Sequence, residues 1–378
     1  MNEGKYAIGI ITSPVCKAGI TPLTNLIRII NNCSDKTYIV TGNDGRIPCD
    51  AEKEHMVVSS RNYSTQDNLL NRISDYIVLQ LFTSVEILQH KKDISTWIFF
   101  LDAHALLLPV VIAKITKKKI IFIPAASIKK AAEAKKSMLL YLLSYSEMLT
   151  NRFADRIILY SNNLITEWNM DLHIQKIEVA PRHFLNFDAF TVTTKIQDRG
   201  DLIGFIGRFS EEKGVQNFAQ ALTTILNDRE DLRVLIAGDG PLKDSIAASL
   251  QEGGITARVD FPGWISHDDL PNYLNQLRLL VLPSYTEGLP NIMLEAMACG
   301  TPVLATPVGA IPDVIIDGKT GFIMENNSPE CIAANVVRAL SSPDLERIAE
   351  AGRRFVEETF TFEKVVKNWK RILLRDDV

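Results

Sequence analysis

Cysteine is scarce and unpaired: Cys16, Cys33, Cys49, Cys299 and Cys331 make an odd five with no C-x-x-C among them. That argues against a disulfide framework and for a reducing compartment. The six histidines stand apart, without H-x-x-x-H or a Cys/His cluster, so nothing reads as a zinc site. No charge of one sign dominates. The balance of 41 basic against 45 acidic residues argues against a general nucleic-acid binder. No secretory leader is expected, because the start is polar to Tyr6 and the apolar run Ala7–Thr12 stops at Pro14. The one long apolar stretch, Trp97–Ile115, carries Asp102, His104, Pro109 and Lys114. A membrane span of about 20 residues does not tolerate an ionisable pair near its middle cheaply. The stretch reads instead as a buried strand, a turn and a helix.

What is present is size and alternation. A chain of 378 residues exceeds what one compact core usually holds, so about two domains are expected. Short apolar β-branched runs alternate with longer amphipathic ones. Strands are expected at Tyr6–Thr12, Thr37–Thr41, His55–Ser59, Thr96–Leu101, Lys119–Ile123, Arg156–Tyr160 and Lys176–Ala180. The pattern restarts with Leu202–Ile206, Arg233–Ala237, Arg258–Phe261, Leu279–Leu282, Pro302–Ala305 and Gly321–Met324. Helices are expected around Pro22–Asn31, after a loop holding Gly19, near Ala131–Asn151 and over Phe362–Leu374. Strands apolar on both faces and separated by helices imply parallel sheets covered on both sides. The fold class is therefore α/β with two doubly wound, Rossmann-like domains. The expected boundaries are 1–185, a polar and aromatic linker at 186–199, a second domain at 200–360 and a terminal helix at 361–378.

Two strings carry the chemistry. In the first, a strand ends at Gly207 and a helix starts near Gly214 or Val215, with Arg208 and Lys213 flanking the loop between. Two cations at the carboxyl end of a parallel strand, beside a helix N-terminus, suit a diphosphate; a solvated charged turn is the equal competitor. The second string runs from Pro283 to Gly300. Pro290 fits the first turn of a helix and Gly300 its stop. Ile292–Cys299 is apolar except for Glu295, and a helix apolar all round is buried. A lone carboxylate there needs a partner, either a core cation or a pair of ligand hydroxyls, and the ligand is favoured. Glu287 lies about 12 Å before Glu295 if the path is helical. The backbone groups of Gly288, Leu289, Pro290 and Asn291 fall between. Their position at the positive helix end suits phosphate. One helix could hold sugar, phosphates and ribose in register. Gly238-Asp239-Gly240-Pro241 permits a tight turn near a ligand, and Phe261-Pro262-Gly263-Trp264-Ile265 ends a strand whose backbone could face a base.

Together G-R-x-x-x-E-K-G at 207–214, G-D-G-P at 238–241, F-x-G at 261–263, E-G-L-P-N-x-x-L-E-A at 287–296 and G-x-P-V at 300–303 resemble the retaining glycosyltransferases of family 4. The resemblance is tight over about 120 residues, from Leu202 to Met324, and holds only in outline before them. It implies the GT-B fold, two Rossmann-like domains facing across a cleft, with the final helix returning to the first. It implies a nucleotide-diphosphate sugar as donor and no cofactor. Arg208 and Lys213 would hold the diphosphate, Glu287 the donor sugar, Glu295 the ribose hydroxyls, and Ile265 the base through its backbone. Gly207 and Gly19 would let backbone approach the donor. Many members carry a histidine after the strand matching Ile120–Ile123; here Pro124-Ala125-Ala126-Ser127 follows. Ser127 or His104 could take that sugar contact, although a buried, satisfied histidine is the weightier reading of His104. Pro181-Arg182-His183 stands where the family has P-N-G.

No D-x-D occurs, so a metal at the phosphates has no obvious carboxylate ligands, and Arg208, Lys213 and the helix end could neutralise a leaving diphosphate without one. The expected activity is transfer of a hexose-like sugar to a hydroxyl of a glycan, a lipid-linked acceptor or a small molecule. The alternative is a non-catalytic nucleotide-sugar-binding subunit or sensor. A dinucleotide oxidoreductase is disfavoured because G-x-G-x-x-G is absent after the first strand. Lys129, Lys130, Lys135 and Lys136 precede an apolar run and suggest peripheral contact of the Lys129–Lys136 region with an anionic membrane. A surface helix with solvated lysines is the favoured alternative. The expected location is the cytoplasm, with the inner face of the membrane as a variant.

Overall fold

The structure is a computed structural model and describes residues 6–47, 49, 56–62, 69–101, 103, 106–124 and 138–375. Two compact units emerge. One comprises Met1–His183 together with the chain from Val365 onward, the other Phe184–Lys364.

The first unit is built on a parallel sheet of β1 (Ala7–Val15), β2 (Lys36–Asn43), β3 (Met56–Arg61), β4 (Thr96–Phe100), β5 (Lys119–Ile123), β6 (Arg156–Leu159) and β7 (Ile177–Val179). Its order is β3-β2-β1-β4-β5-β6-β7. The order reverses between β1 and β4, where Ile10 pairs with Ile98. Every residue of β4 is buried, as a strand covered by helices on both faces requires. The first helix spans Lys17–Asn31 and runs through Pro22, so Gly19 lies inside its first turn rather than in a loop before it. A second helix, Leu69–Gln89, leads into β4. The apolar stretch at Trp97 divides into β4 and the helix Leu107–Ile115. The helix expected near 131–151 is described over Met138–Phe153.

The second unit holds β8 (Leu202–Ile206), β9 (Arg233–Ala237), β10 (Val259–Gly263), β11 (Leu279–Leu282), β12 (Val303–Ala305) and β13 (Phe322–Ile323). They form a parallel sheet ordered β10-β9-β8-β11-β12-β13. Phe205, Phe209, Phe218, Ile236 and Val281 lie at its core, each no more than 1% exposed.

The segment 186–199 is not a free linker; it packs as part of the second unit. Arg199 sends its guanidinium to the carbonyls of Thr194, Leu274, Leu277 and Cys299 and to the Thr301 hydroxyl. Asn275 accepts from the Thr193 N–H and donates to Thr191 O. Phe190 and Ile196 are buried. The irregular backbone hides this packing from any periodicity. The terminal helix Phe362–Leu374 groups with the first unit from Val365 on. Its Trp369 is fully buried and donates to Pro181 O at 3.0 Å, and Arg156 donates to Ile372 O.

Candidate functional site

In the second unit the two sequence strings meet. Lys213 closes a short turn after β8, and Glu287 lies 74 residues further on, before the helix Asn291–Ala298. The Lys213 ammonium donates to both Glu287 oxygens, at 2.7 and 2.8 Å, and the Ser284 hydroxyl donates to Oε1 at 2.7 Å. The Glu287 side chain is 8% exposed, so this pairing offsets its desolvation. Arg208 is 65% exposed and touches Glu212 loosely at 3.9 Å, leaving its donors available to a ligand. The Ser210 hydroxyl holds the Glu212 carboxyl below its ordinary range.

Three glycines let backbones close around this centre. Gly214 (φ 66°) brings its Cα against Pro283 O, where a Cβ would stand at 2.0 Å. Gly309 (φ 59°) lies against Glu287 O, at 2.1 Å from a would-be Cβ, and Ala310 N–H donates to Gly288 O. Gly238 packs on Gly207 O, at 1.8 Å by the same measure, and Phe209 N–H donates to Asp239 O. The G-D-G-P turn therefore braces the Gly207-Arg208-Phe209 loop.

Pro290 is the N-cap of the helix, with extended backbone at φ −68° and ψ 121°, not a first-turn residue. Residues 287–290 are consequently not helical, and the helical separation estimated for Glu287 and Glu295 does not apply over them. No side chain among the described residues caps this end, which leaves its first amides to an anion. At the other end Gly300 (φ 67°) makes a Schellman stop, with Gly300 N–H on Met297 O and Thr301 N–H on Ala296 O.

Glu295 is 7% exposed. Among the described residues its carboxylate meets no lysine or arginine; its partner is His267, Nε2 to Oε1 at 3.1 Å. The carboxylate raises the His267 pKa above its ordinary value, chiefly through that hydrogen bond. His267 is 70% exposed and packs edge-on against Phe190 at 5.2 Å. No sequence motif marks His267. It lies two residues past Ile265, which follows β10 beside the exposed Trp264. Gly19 belongs to the first unit, where its N–H bonds Cys16 O. His104, Ser127, Asp102 and the Lys129–Lys136 region lie outside the described residues.

Residues 187–355 match the family model described as glycosyl transferases group 1. The chain is 33% identical over 166 residues to a 2-deoxystreptamine glucosyltransferase of Streptomyces kanamyceticus, covering 43% of each chain. It is 34% identical over 186 residues to an N-acetyl-alpha-D-glucosaminyl L-malate synthase of Bacillus anthracis, covering 48% of each. The matches thus span less than half the length of these relatives. In fold it resembles Anabaena HepE solved with UDP, with a TM-score of 0.76, 16% identity and coverage of 98% and 99%. The two Rossmann-like units have the architecture of GT-B glycosyltransferases.

Proposed function

We propose that this protein is a retaining glycosyltransferase that moves a sugar from a nucleotide-diphosphate sugar to a hydroxyl acceptor without a metal. The observation that carries the reading is the pairing of Lys213 with Glu287 beside an uncapped helix N-terminus, with the buried Glu295 further along that helix. The family match over 187–355 and the UDP held by the Anabaena relative of the same fold support a nucleotide-sugar donor.

The chemistry follows from charge. As the glycosidic bond to the donor phosphate breaks, negative charge collects on the leaving diphosphate. Arg208, Lys213 and the helix amides neutralise it, and such preorganised donors act most strongly in the transition state. Glu287 takes the sugar hydroxyls and orients the ring, while Glu295 accepts from the ribose diol. The Ile265 backbone faces the base. Without D-x-D, the cations do what a bound metal would otherwise do. A chelator should leave turnover largely intact, and loss of turnover with rescue by magnesium or manganese would refute that part. An α-linked product from an α-linked donor, read by proton NMR, tests retention.

The donor site itself is tested by calorimetry with a panel of nucleoside diphosphates. Glu295→Gln should weaken binding by about 1.5–3 kcal/mol, as loss of a charged hydrogen bond does. Glu287→Gln should leave free diphosphate binding nearly alone and lower the transfer rate, because orientation counts most in the transition state. Equal affinity in Glu295→Gln and the parent removes the ribose assignment.

A further inference from the structure

The first unit contains a buried cation with no counter-ion among the described residues. Arg182 is 9% exposed, and its guanidinium carbon lies 5.0 Å from the Phe100 ring centre and 5.6 Å from that of Tyr160. Its Nε is sealed from solvent and makes no hydrogen bond. Its terminal nitrogens bond none of the described residues either, nor does any carboxylate among them pair with it. The other buried arginines behave differently. Arg199 spends its donors on four carbonyls and a hydroxyl, and Arg156 on the carbonyls of Ile372 and Arg375. A desolvated guanidinium is expensive unless something accepts from it. Burial already pulls the Arg182 pKa down to about 10.

Its surroundings point to a ligand. Phe100 ends β4, Tyr160 follows β6, and Arg182 comes three residues after β7. In open parallel sheets ligands gather at the carboxyl ends of the strands, near the point where strand order reverses, and β4 adjoins that point. Next to Phe100, Leu101 is held at φ 49°, a strained conformation for a branched residue. His183 beside the arginine has a sealed Nδ1 with no partner. Burial, aided by the neighbouring Arg182 charge, depresses the His183 pKa to about 3, so its ring is neutral at ordinary pH.

We propose that Arg182, with His183 beside it, forms an anion subsite that takes carboxylate or phosphate oxygens of the acceptor. The planar pair of terminal N–H groups matches either group in a bidentate manner. The two rings exclude water and strengthen the pair. The assignment to the acceptor rests on the transferase reading above, in which the donor contacts Arg208, Lys213, Glu287, Glu295 and Ile265 lie in the second unit.

The test is calorimetry on the full chain saturated with its best nucleoside diphosphate, titrating inorganic phosphate, malonate and uncharged glucose. Parent protein should bind at least one of the two anions in the millimolar range, and the tighter one tells phosphate from carboxylate. Arg182→Gln should weaken that binding at least tenfold, the scale of a lost charged hydrogen bond. Arg182→Lys, which keeps the charge but not the fork, should fall between, and it carries the test where Arg182→Gln fails to fold. Nucleoside diphosphate affinity should be equal in all three. No anion binding by the parent, or equal anion affinity in Arg182→Gln, overturns the subsite. Absence of nucleotide binding instead overturns the donor reading, so the two failures are separable.

Discussion

At the residue scale, the two cations of the turn after β8 should fail differently. Arg208 is exposed and loosely paired, so Arg208→Ala should cost about 1.5–3 kcal/mol of nucleoside diphosphate affinity and leave the melting temperature alone. Lys213→Ala should cost similar affinity and also lower the melting temperature, because it strands the nearly buried Glu287 carboxylate on Ser284 alone. Adding Glu287→Gln to it should recover most of that lost stability. Calorimetry and melting curves on the three variants decide. His267 and Glu295 give a pH signature. His267 has its pKa raised on folding, so the pair's contribution is fully present below the ordinary histidine value and is lost as pH rises through the raised one. The stability gap between the parent and His267→Gln should therefore be widest in mild acid and close in mild alkali. Urea unfolding across about pH 5.5–8.5 checks this, and a gap that widens with pH contradicts the pairing. The role of Glu295 as an isolated buried carboxylate was legible in its apolar helix. Its partner was not, because an exposed histidine 28 residues away carries no pattern.

At the element scale, the site depends on loops pressed together by glycines. Gly309 shows the dependence most directly, since a Cβ there would meet both Glu287 O and Gly288 O within 2.7 Å. Gly309→Ala should destabilise the fold by about 1–3 kcal/mol of strain. It should also displace the Glu287–Gly288 backbone and lower transfer, whereas Gly318→Ala, at a similar φ with open space around it, should show strain without loss of transfer. Thermal melting alongside a nucleoside-diphosphate release assay separates the two. The helix Asn291–Ala298 was readable to within a residue, since Pro290 and Gly300 bracket it, although Pro290 is its N-cap and not part of its first turn. The start of the first helix was not: Pro22 reads as a beginning, yet the chain is already helical from Lys17. A proline near a helix start loses only one hydrogen bond, and packing of Leu23, Leu26 and Ile27, all fully buried, outweighs it.

At the scale of the whole molecule, each unit has its own sheet and core, and the chain's end returns to the first. Trp369 is fully buried there, with Val365, Ile372 and Leu373 close to it in burial. Trp369→Ala should cost the first unit about 3–5 kcal/mol, as deletion of a buried aromatic does. Urea unfolding followed by circular dichroism should show a transition for the first unit moved to lower denaturant and the other unchanged. A variant that shifts both equally, or neither, contradicts the grouping of this helix.

Sequence alone determined the parallel, doubly wound character of both sheets, because apolar runs of β-branched residues between amphipathic segments have no other way to be covered. It also marked Arg208 and Lys213 at a strand end and Glu295 in an apolar helix as candidates, because such charges are costly without a use, while Glu287 came from its spacing to Glu295 and from the family resemblance. Tertiary structure decided the rest. It joined Lys213 to Glu287, gave Glu295 a histidine, drew 186–199 into the second unit, and set Arg182 against the Phe100 and Tyr160 rings. Each of these is a contact between segments far apart in the chain. Such contacts are set by how elements pack, and local spacing does not encode them.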